Sequence, residues 1–438
     1  MNSILKQIKN EWKANAFLFI ELMVVFAILW YIVDWVFVTG RVYFAPMGFD
    51  TDHCYELTVS KLDAKSPLYD PELTPEDDMD AFIEIAERLR HRPGVEHVAI
   101  SQNSIPYNDG SNGFTVCVDT VPVNTMRRWI QPEFFQVFQL QGVAVLGEDG
   151  RTVYTTSADS LAWALRSRPE ALVLSKNFVS DTRHAELGLH DALPLLGRSL
   201  PVNFPENDFR MPVTGICQPM RWSHFETSEQ WGGPVIATDL PRETMIAFGN
   251  PMYLQLSLRV SPDADGGQAF MEALMDDADR QYRVGNVFLL DVQPFDDLRY
   301  VMELEDVNEV RTQLCILGFL LLNIFLGVIG TFWFRTQHRR QEVALRMAMG
   351  STRRGVFARL MGEGLLLLSL AAIPALLIAF NLGLAELVEV DRVAFNASRF
   401  LVCIVAAWAL MALMIVVGIW YPAGRAMQVQ PAEALHDE

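Results

Sequence analysis

QLCILGFLLLNIFLGVIGTFWF, residues 313–334, is the stretch that decides the fold class of this chain. It contains no charged side chain over its whole length. A helix needs about 20 mostly apolar residues to cross the roughly 30 Å of hydrocarbon in a bilayer. The stretch therefore predicts a membrane-spanning helix.

Three further stretches satisfy the same length and composition. They are AFLFIELMVVFAILWYIVDWVFV at 16–38, EGLLLLSLAAIPALLIAFNLGLA at 363–385 and FLVCIVAAWALMALMIVVGIW at 400–420. The first is too long for the apolar region of a signal peptide, contains Glu21 and Asp34, and is not followed by a small-x-small cleavage site. We expect it to be retained as an anchor, which gives four spans.

The distribution of charge predicts the orientation. Residues 41–312 contain 22 Lys and Arg against 42 Asp and Glu, whereas residues 335–360 contain seven arginines and one acid. Lys6, Lys9 and Lys13 precede the first span. Basic flanks stay on the cytoplasmic side. We therefore expect a multi-pass protein of the bacterial inner membrane with both termini inside and the acidic region outside. Because that region would repel phosphates, a nucleic-acid partner is not expected.

These assignments divide the chain into nine segments. The predicted segments are an interfacial helix at 1–15, spans at 16–40, 313–334, 363–385 and 400–420, an extracytoplasmic domain at 41–312, a cytoplasmic loop at 335–362, a short outer loop at 386–399 and a cytoplasmic tail at 421–438. An ordinary basic flank remains an alternative to the interfacial helix.

Within the spans, five polar side chains are candidates for lining a pore: Glu21, Asp34, Asn323, Glu363 and Asn381. Asp34 and Glu363 lie near span ends, where we expect a charge to cost little. Glu21 and Asn323 lie deeper, and we expect them to face neighbouring helices and to hold helices together rather than to form an ion path.

The extracytoplasmic region mixes helical and strand patterns and is predicted to be an α+β domain in two lobes. PEDDMDAFIEIAERLR at 75–90 predicts an amphipathic helix with acids in its first turn, and 268–282 a second helix. VEHVAIS at 95–101 and TVCVDTVPV at 115–123 are typical of strands. No catalytic, cofactor or metal motif occurs. The scattered cysteines Cys54, Cys117 and Cys217 leave open one disulfide or, as we favour, buried thiols.

The basic loop contains a pattern that positive charge alone does not explain. Gln341–Met349 is made of good helix formers, Gly350 is suited to end that helix, and Ser351 to cap the next one. Glu342 and Arg346 form an i,i+4 pair in the favourable order. The loop is thus predicted to contain a short helix that lies along the cytoplasmic face of the membrane.

EVALRMAMGS, residues 342–351, followed by Arg353 and Arg354, resembles the E-[IV]-[GA]-[IL]-R-[RKM]-A-[LM]-G-[AS] motif of FtsX-like ABC permeases, which include MacB-type exporters and lipoprotein-releasing permeases. The resemblance implies that this helix couples the chain to an ATPase. The implied coupling residues are Glu342, Val343, Leu345, Arg346, Met347, Ala348, Gly350, Ser351, Arg353 and Arg354.

The end of the chain carries a second resemblance to the same family. YPAGRAMQVQPAEAL, residues 421–435, is similar to its closing P-A-x-x-A-x-x-x-x-P-x-x-A-L motif, on Pro422, Ala423, Ala426, Pro431, Ala434 and Leu435. QPEFF at 131–135, LVLSK at 172–176, LGRSL at 196–200 and VTGI at 213–216 resemble landmarks of the MacB-like periplasmic core domain.

No GxxxxGK[ST] motif occurs, so the phosphate-binding loop of an ATPase is missing from the sequence. The family resemblance therefore implies a separate ABC ATPase subunit, which would bind ATP and Mg²⁺ while this chain binds no cofactor. It also implies a second permease subunit, either another copy or a paralogue, and allows a periplasmic adaptor with an outer-membrane channel.

Three functions are compatible with these features. The first is a transport subunit that exports or extracts an amphiphile, either a drug, a peptide or a lipoprotein. The second is an FtsX-like regulator that activates a periplasmic partner without transport, and the third is a receptor without an ATPase. The coupling-helix motif argues against the receptor, and the length of 41–312 favours transport over regulation.

Overall fold

The structure is a computed structural model, and it describes residues 12–108, 110–180, 183–229, 235–338, 349 and 351–426. The chain divides into two compact units. One combines the two ends of the chain, up to Arg41 and from Asp306, and the other is Val42–Glu305. Most of the predicted interfacial helix, residues 1–11, lies outside the described residues.

The helices are, in chain order, α1 Trp12–Tyr43, α2 Pro75–Arg90, α3 Phe134–Val137, α4 Ala158–Arg166, α5 Arg242–Ala247, α6 Gln268–Asp276, α7 Ala278–Gln281, α8 Phe295–Met302, α9 Leu304–His338, α10 Arg353–Leu384 and α11 Ala397–Ala426. Four of them, α1, α9, α10 and α11, are long and apolar enough to cross a membrane. The fold class predicted from sequence, four apolar helices with an α+β domain between the first and the second, is confirmed.

Small residues allow the long helices to approach closely. Ala371, Ala375 and Ala379 are fully buried at intervals of four along α10, and Cys403 and Ala407 have the same spacing on α11. Residues four apart lie on one side of a helix. Close packing of small side chains is what drives helix association in a membrane, where lipid tails remove the hydrophobic driving force.

Two of the long helices begin earlier than their apolar stretches. α9 starts at Leu304 instead of 313, and α10 starts at Arg353 instead of 363. A helix satisfies its own backbone hydrogen bonds, so it continues into the aqueous phase wherever the sequence does not break it. The apolar window marks the membrane segment of such a helix and not its ends.

The second unit is built on one large sheet. Its strands are β1 Cys54–Lys61, β2 Val95–Gln102, β3 Gly113–Val118, β4 Val121–Ile130, β5 Gly142–Leu146, β6 Thr152–Tyr154, β7 Leu172–Ser175, β8 Ser199–Pro201, β9 Arg210–Cys217, β10 Val235–Asp239, β11 Gln255–Val260, β12 Arg283–Val284 and β13 Val287–Pro294. Their order is β12-β13-β1-β11-β2-β4-β10-β7-β9-β5-β6, with β3 beside β4 and β8 beside β9.

The strand order separates the sheet into two halves. We call β1, β2 and β11–β13 the framework half and β3–β10, residues 113–239, the inserted half, because the second is inserted between β2 and β11. In the described residues, β2 and β4 join the halves through two register pairs, Ser101 with Ile130 and Gln102 with Trp129. The two predicted lobes thus correspond to two halves of one sheet with a short join.

The framework half is stabilised by α2, which forms where the sequence predicted it. Thr74 caps the helix: its hydroxyl accepts from Asp77 N at 3.3 Å, and the Asp77 carboxylate accepts from Thr74 N at 2.8 Å. The apolar stripe of the helix faces the core, where Phe82, Ile85 and Leu89 are at most 1% exposed. Burying such side chains contributes about 1.5–3 kcal/mol each.

Two predicted elements are divided in the structure. The expected strand 115–123 is a hairpin, because Asp119 adopts a positive φ of 55° and the chain reverses between β3 and β4. Asp tolerates this left-handed conformation better than most residues. The expected helix 268–282 is broken at Asp277 into α6 and α7.

Candidate functional site

The loop 335–362, which is predicted to be cytoplasmic, is the site that the sequence predicted, and the structure describes its residues 335–338, 349 and 351–362. Glu342, Val343, Leu345, Arg346, Met347, Ala348 and Gly350 lie outside the described residues. Ser351 and Arg354 are exposed next to the start of α10, and Arg353 is its first residue. The coupling assignment of these residues stays a prediction.

Thr352, not Ser351, caps α10. Its backbone is extended, with φ −72° and ψ 150°, and its hydroxyl accepts a hydrogen bond from Gly355 N. A cap residue is the last one before the helical dihedrals begin, and its side chain accepts from an N–H two or three residues ahead. Both Ser and Thr satisfy the sequence rule, so only the backbone distinguishes them.

The first turn of α10 carries charge of the unfavourable sign. Arg353 and Arg354 occupy its first two positions, and no acid is present there. A helix N-terminus is partly positive, and a like charge in the first turn costs about 0.3–1 kcal/mol. The two positive charges therefore do not stabilise the helix that they begin.

The predicted C-terminal motif begins inside α11. Pro422 and Ala423 lie in its last turns and Ala426 is its final residue, whereas Pro431, Ala434 and Leu435 lie outside the described residues.

A buried ion pair within the helical unit is a feature that sequence analysis missed. Arg399, in the first turn of α11, donates from Nε to Asp34 Oδ1 at 2.8 Å and from Nη2 to Asp34 Oδ2 at 2.5 Å. The same guanidinium donates to the carbonyls of Glu389 and Val393 in the preceding loop. We expected the charge of Asp34 to cost little free energy because the residue lies near a span end. That expectation is wrong, since Asp34 is only 1% exposed.

The other intramembrane polar residues differ in their surroundings. Glu21 of α1 lies against α9, where a Cβ on Gly327 would come within 2.7 Å of its Oε1. Glu21 thus faces a neighbouring helix, as expected. Glu363 is buried at 2% exposure. Asn323 is exposed on α9 within this chain, and the expectation that it faces a neighbouring helix stays a prediction.

The extracytoplasmic landmarks of the sequence are packing elements. LVLS forms β7, which pairs in parallel with β9, the strand that contains VTGI. Gln131 accepts from Ile100 N at 3.1 Å and from Arg90 Nη2 at 2.8 Å. In the part of the chain that the structure describes, no group of three or more His, Cys, Asp or Glu is arranged to hold a metal ion.

Residues 314–431 match the family model of the FtsX-like permease C-terminal domain. The chain therefore carries an FtsX-like permease domain that includes most of α9 together with α10 and α11. A comparison with curated protein sequences finds no match.

Three solved structures are similar to part of this chain. A permease domain from Porphyromonas gingivalis is 15% identical over 56% of this chain and 90% of its own, with a TM-score of 0.34. The extracellular domain of the noncanonic ABC-type transporter YknZ from Gram-positive bacteria is 14% identical over 54% and 100%, with a TM-score of 0.28. The periplasmic region of MacB from Actinobacillus actinomycetemcomitans is 12% identical over 60% and 98%, with a TM-score of 0.31.

Proposed function

We propose that this chain, which carries an FtsX-like permease domain, is the membrane subunit of an ABC-type transporter of the bacterial inner membrane. A separate ATPase subunit binds ATP and Mg²⁺ on the cytoplasmic side and drives the extracytoplasmic domain. The motion exports or extracts an amphiphile, either a drug, a peptide or a lipoprotein. The family match over residues 314–431 is the observation on which the proposal rests.

The coupling step is assigned to the loop between α9 and α10. Its helix around Glu342 and Arg346 docks on the ATPase, and closure of the ATPase displaces it. The basic start of α10 supports this assignment, because Arg353 and Arg354 place positive charge at a helix N-terminus, which the helix dipole disfavours.

Long continuous helices support transmission across the bilayer. α1 has 32 residues and α9 has 35, which correspond to lengths of about 48 and 52 Å at 1.5 Å per residue. All backbone bonds of such a helix are internal, so it moves as a rod in lipid. These helices are also the covalent connections to Val42–Glu305, because α1 leads into that unit and α9 leads out of it.

Purification from the native membrane in mild detergent tests the proposal. We expect an ABC ATPase to co-purify and its ATP hydrolysis to be stimulated by the chain in lipid nanodiscs. Glu342→Lys and Gly350→Trp should abolish the stimulation while the purified amount stays unchanged. Glu386→Lys is the matched control, since it reverses the charge of an exposed acid between α10 and α11.

Two results would contradict the proposal. If no ATPase co-purifies, or if Glu342→Lys and Gly350→Trp stimulate it as the native chain does, the coupling role is wrong. If the ATPase is stimulated but the retained partner is a cell-wall hydrolase whose activity depends on ATP, the chain is a regulator and not a transport subunit.

A further inference from the structure

The loop that follows β9 makes contacts that its position in the sequence does not suggest. Residues 219–226 belong to the inserted half of the sheet. They lie against residues 42–49, which follow α1, and against Glu303, which precedes α9. All of these residues lie within Val42–Glu305.

Arg221 is the centre of these contacts. Its guanidinium donates from Nη1 to the carbonyl of Val42 at 2.7 Å, from Nε to that of Pro46 at 3.0 Å and from Nη2 to that of Ala45. Nη1 also lies 3.3 and 3.1 Å from the carbonyls of His224 and Glu226. Arg221 is 3% exposed. Val42 lies in the last turn of α1, and Ala45 and Pro46 follow that helix, so the buried arginine fixes the segment in which α1 ends.

Backbone contacts also join residues 42–49 to residues 219–226. Arg221 N donates to Met47 O at 2.9 Å. Gly48 has a φ of 88°, and a Cβ placed on it would lie 2.3 Å from Pro219 O. Only glycine fits both the conformation and the approach. The two segments therefore touch main chain to main chain, where no flexible side chain can absorb a displacement.

The second connection is held by His224. Glu303 Oε1 accepts from His224 N at 2.7 Å and lies 2.8 Å from His224 Nδ1. Glu303 is 4% exposed and separates α8 from α9. Aromatic rings enclose the imidazole: Tyr43 lies 5.1 Å from it, centroid to centroid, and Tyr107 is stacked at 6.1 Å.

We propose that residues 219–226 are a latch that ties the inserted half of the sheet to both connections with the membrane helices, and that Arg221 is its positioning residue. The inference rests on the proposed function, because it assigns a route to the motion that the ATPase would drive. Displacement of α1 and α9 then moves the inserted half against the framework half.

The join between the halves suits this motion. Strands β2 and β4 share two register pairs, whereas β1 and β13 share seven. Each half has a hydrophobic cluster of its own, around Phe82 in the framework half and around Phe178 in the inserted half, and a third cluster around Phe135 contains residues of both halves. The strand join is short and the shared cluster is packed, so the motion expected here is a small sliding of packed elements, which is shear motion.

The test measures the distance between the halves in the full chain with its co-purified ATPase. Spin labels are placed at Tyr154→Cys in β6 and Glu272→Cys in α6, both exposed positions, in a background where Cys315 is replaced by serine. In the chain with its native latch, we expect ATP to change the distance between the two labels. Arg221→Gln should lose more than half of that change while ATPase stimulation is retained.

Two further variants separate a latch from a merely structural residue. Arg92→Gln removes another partly buried arginine, 14% exposed and paired with Asp277 in the framework half, and should keep the full distance change. Glu303→Gln leaves Arg221 in place and should reduce the change by a smaller amount. It keeps the proposal falsifiable if Arg221→Gln does not fold.

The outcomes are distinguishable. If both Arg221→Gln and Glu303→Gln keep the full ATP-dependent change, the latch is wrong and the proposed function stands. If the chain with its native latch stimulates no ATPase, the proposed function is wrong and the latch falls with it. Loss of the distance change with ATPase stimulation intact supports both.

Discussion

The carboxylate of Asp34 and the guanidinium of Arg399 form a two-point ion pair between α1 and α11, and both side chains are at most 1% exposed. The two residues are 365 positions apart in the sequence, and the residues next to each of them give no indication that they pair. Removal of two charges from water is costly and is repaid only by good geometry and further hydrogen bonds. The pair meets that condition, because Arg399 also binds two carbonyls of the 386–399 loop.

We predict that breaking this pair is worse than deleting it. Asp34→Asn and Arg399→Met each leave an uncompensated or poorly satisfied group and should lower stability by about 3–5 kcal/mol. The double variant Asp34→Leu with Arg399→Met should recover most of that loss. Thermal unfolding in detergent measures all three proteins. A double variant no more stable than the worse single one would show that the pair does not act as a unit.

Gly48 provides a test of the close contact with Pro219. Gly48→Ala places a Cβ at a positive φ and 2.3 Å from Pro219 O, so it should cost more than the conformational term alone. Gly150→Ala is the control, since Gly150 has a φ of 77° and open space around it. The control should cost about 1–2 kcal/mol. Equal urea midpoints for the two variants would remove the evidence for a tight approach.

The cysteines of the extracytoplasmic domain are predicted to be inert in the folded protein. Cys54, Cys117 and Cys217 are buried free thiols. Burial raises the pKa of both Cys54 and Cys217 to about 12, and it also raises that of Cys117. The thiolate is the reactive form. Iodoacetamide at neutral pH should therefore spare all three in the native chain and modify them in denaturant, as mass spectrometry of peptides would show.

Asp265 is expected to make the domain sensitive to acid. Burial alone would raise the pKa of its carboxyl, but hydrogen bonds from Tyr55, His53 and Gly267 N outweigh burial and lower it below its usual value. A carboxyl with a lowered folded pKa stabilises the protein above its unfolded pKa of about 3.9 and loses that contribution as the pH falls through the folded pKa. Asp265→Asn should flatten the fall in urea midpoint below about pH 4. An unchanged pH profile would contradict the assignment.

The orientation of the chain is open to a direct test by labelling. Leu345→Cys should react with a membrane-impermeant maleimide only after the cytoplasmic face is opened, because the arginine-rich loop stays inside. Ala273→Cys, on exposed α6, should react from the outside of spheroplasts. The opposite pattern would reverse the topology and remove the basis for a cytoplasmic coupling loop.

Sequence determined those features that depend on neighbours along the chain. The length of the apolar stretches predicted the four long helices, and an acidic first turn with an apolar stripe predicted α2. Each of these signals lies within one continuous segment of the chain. The match over 314–431 agrees with the two motifs that the sequence offered. Local pattern also placed β2 almost to the residue, since the predicted strand is 95–101 and the observed one is Val95–Gln102.

Tertiary structure alone decided which distant residues meet. Asp34 and Arg399, Arg221 and Val42, and His224 and Glu303 are each ordinary in their local sequence. A buried charge is stable only when a partner contacts it with the right geometry. Folding brings that partner close, and the spacing of the two residues along the sequence does not predict it. The same holds for the split of 115–123 into a hairpin, where one left-handed residue, Asp119, reverses a segment whose propensity is uniformly that of a strand.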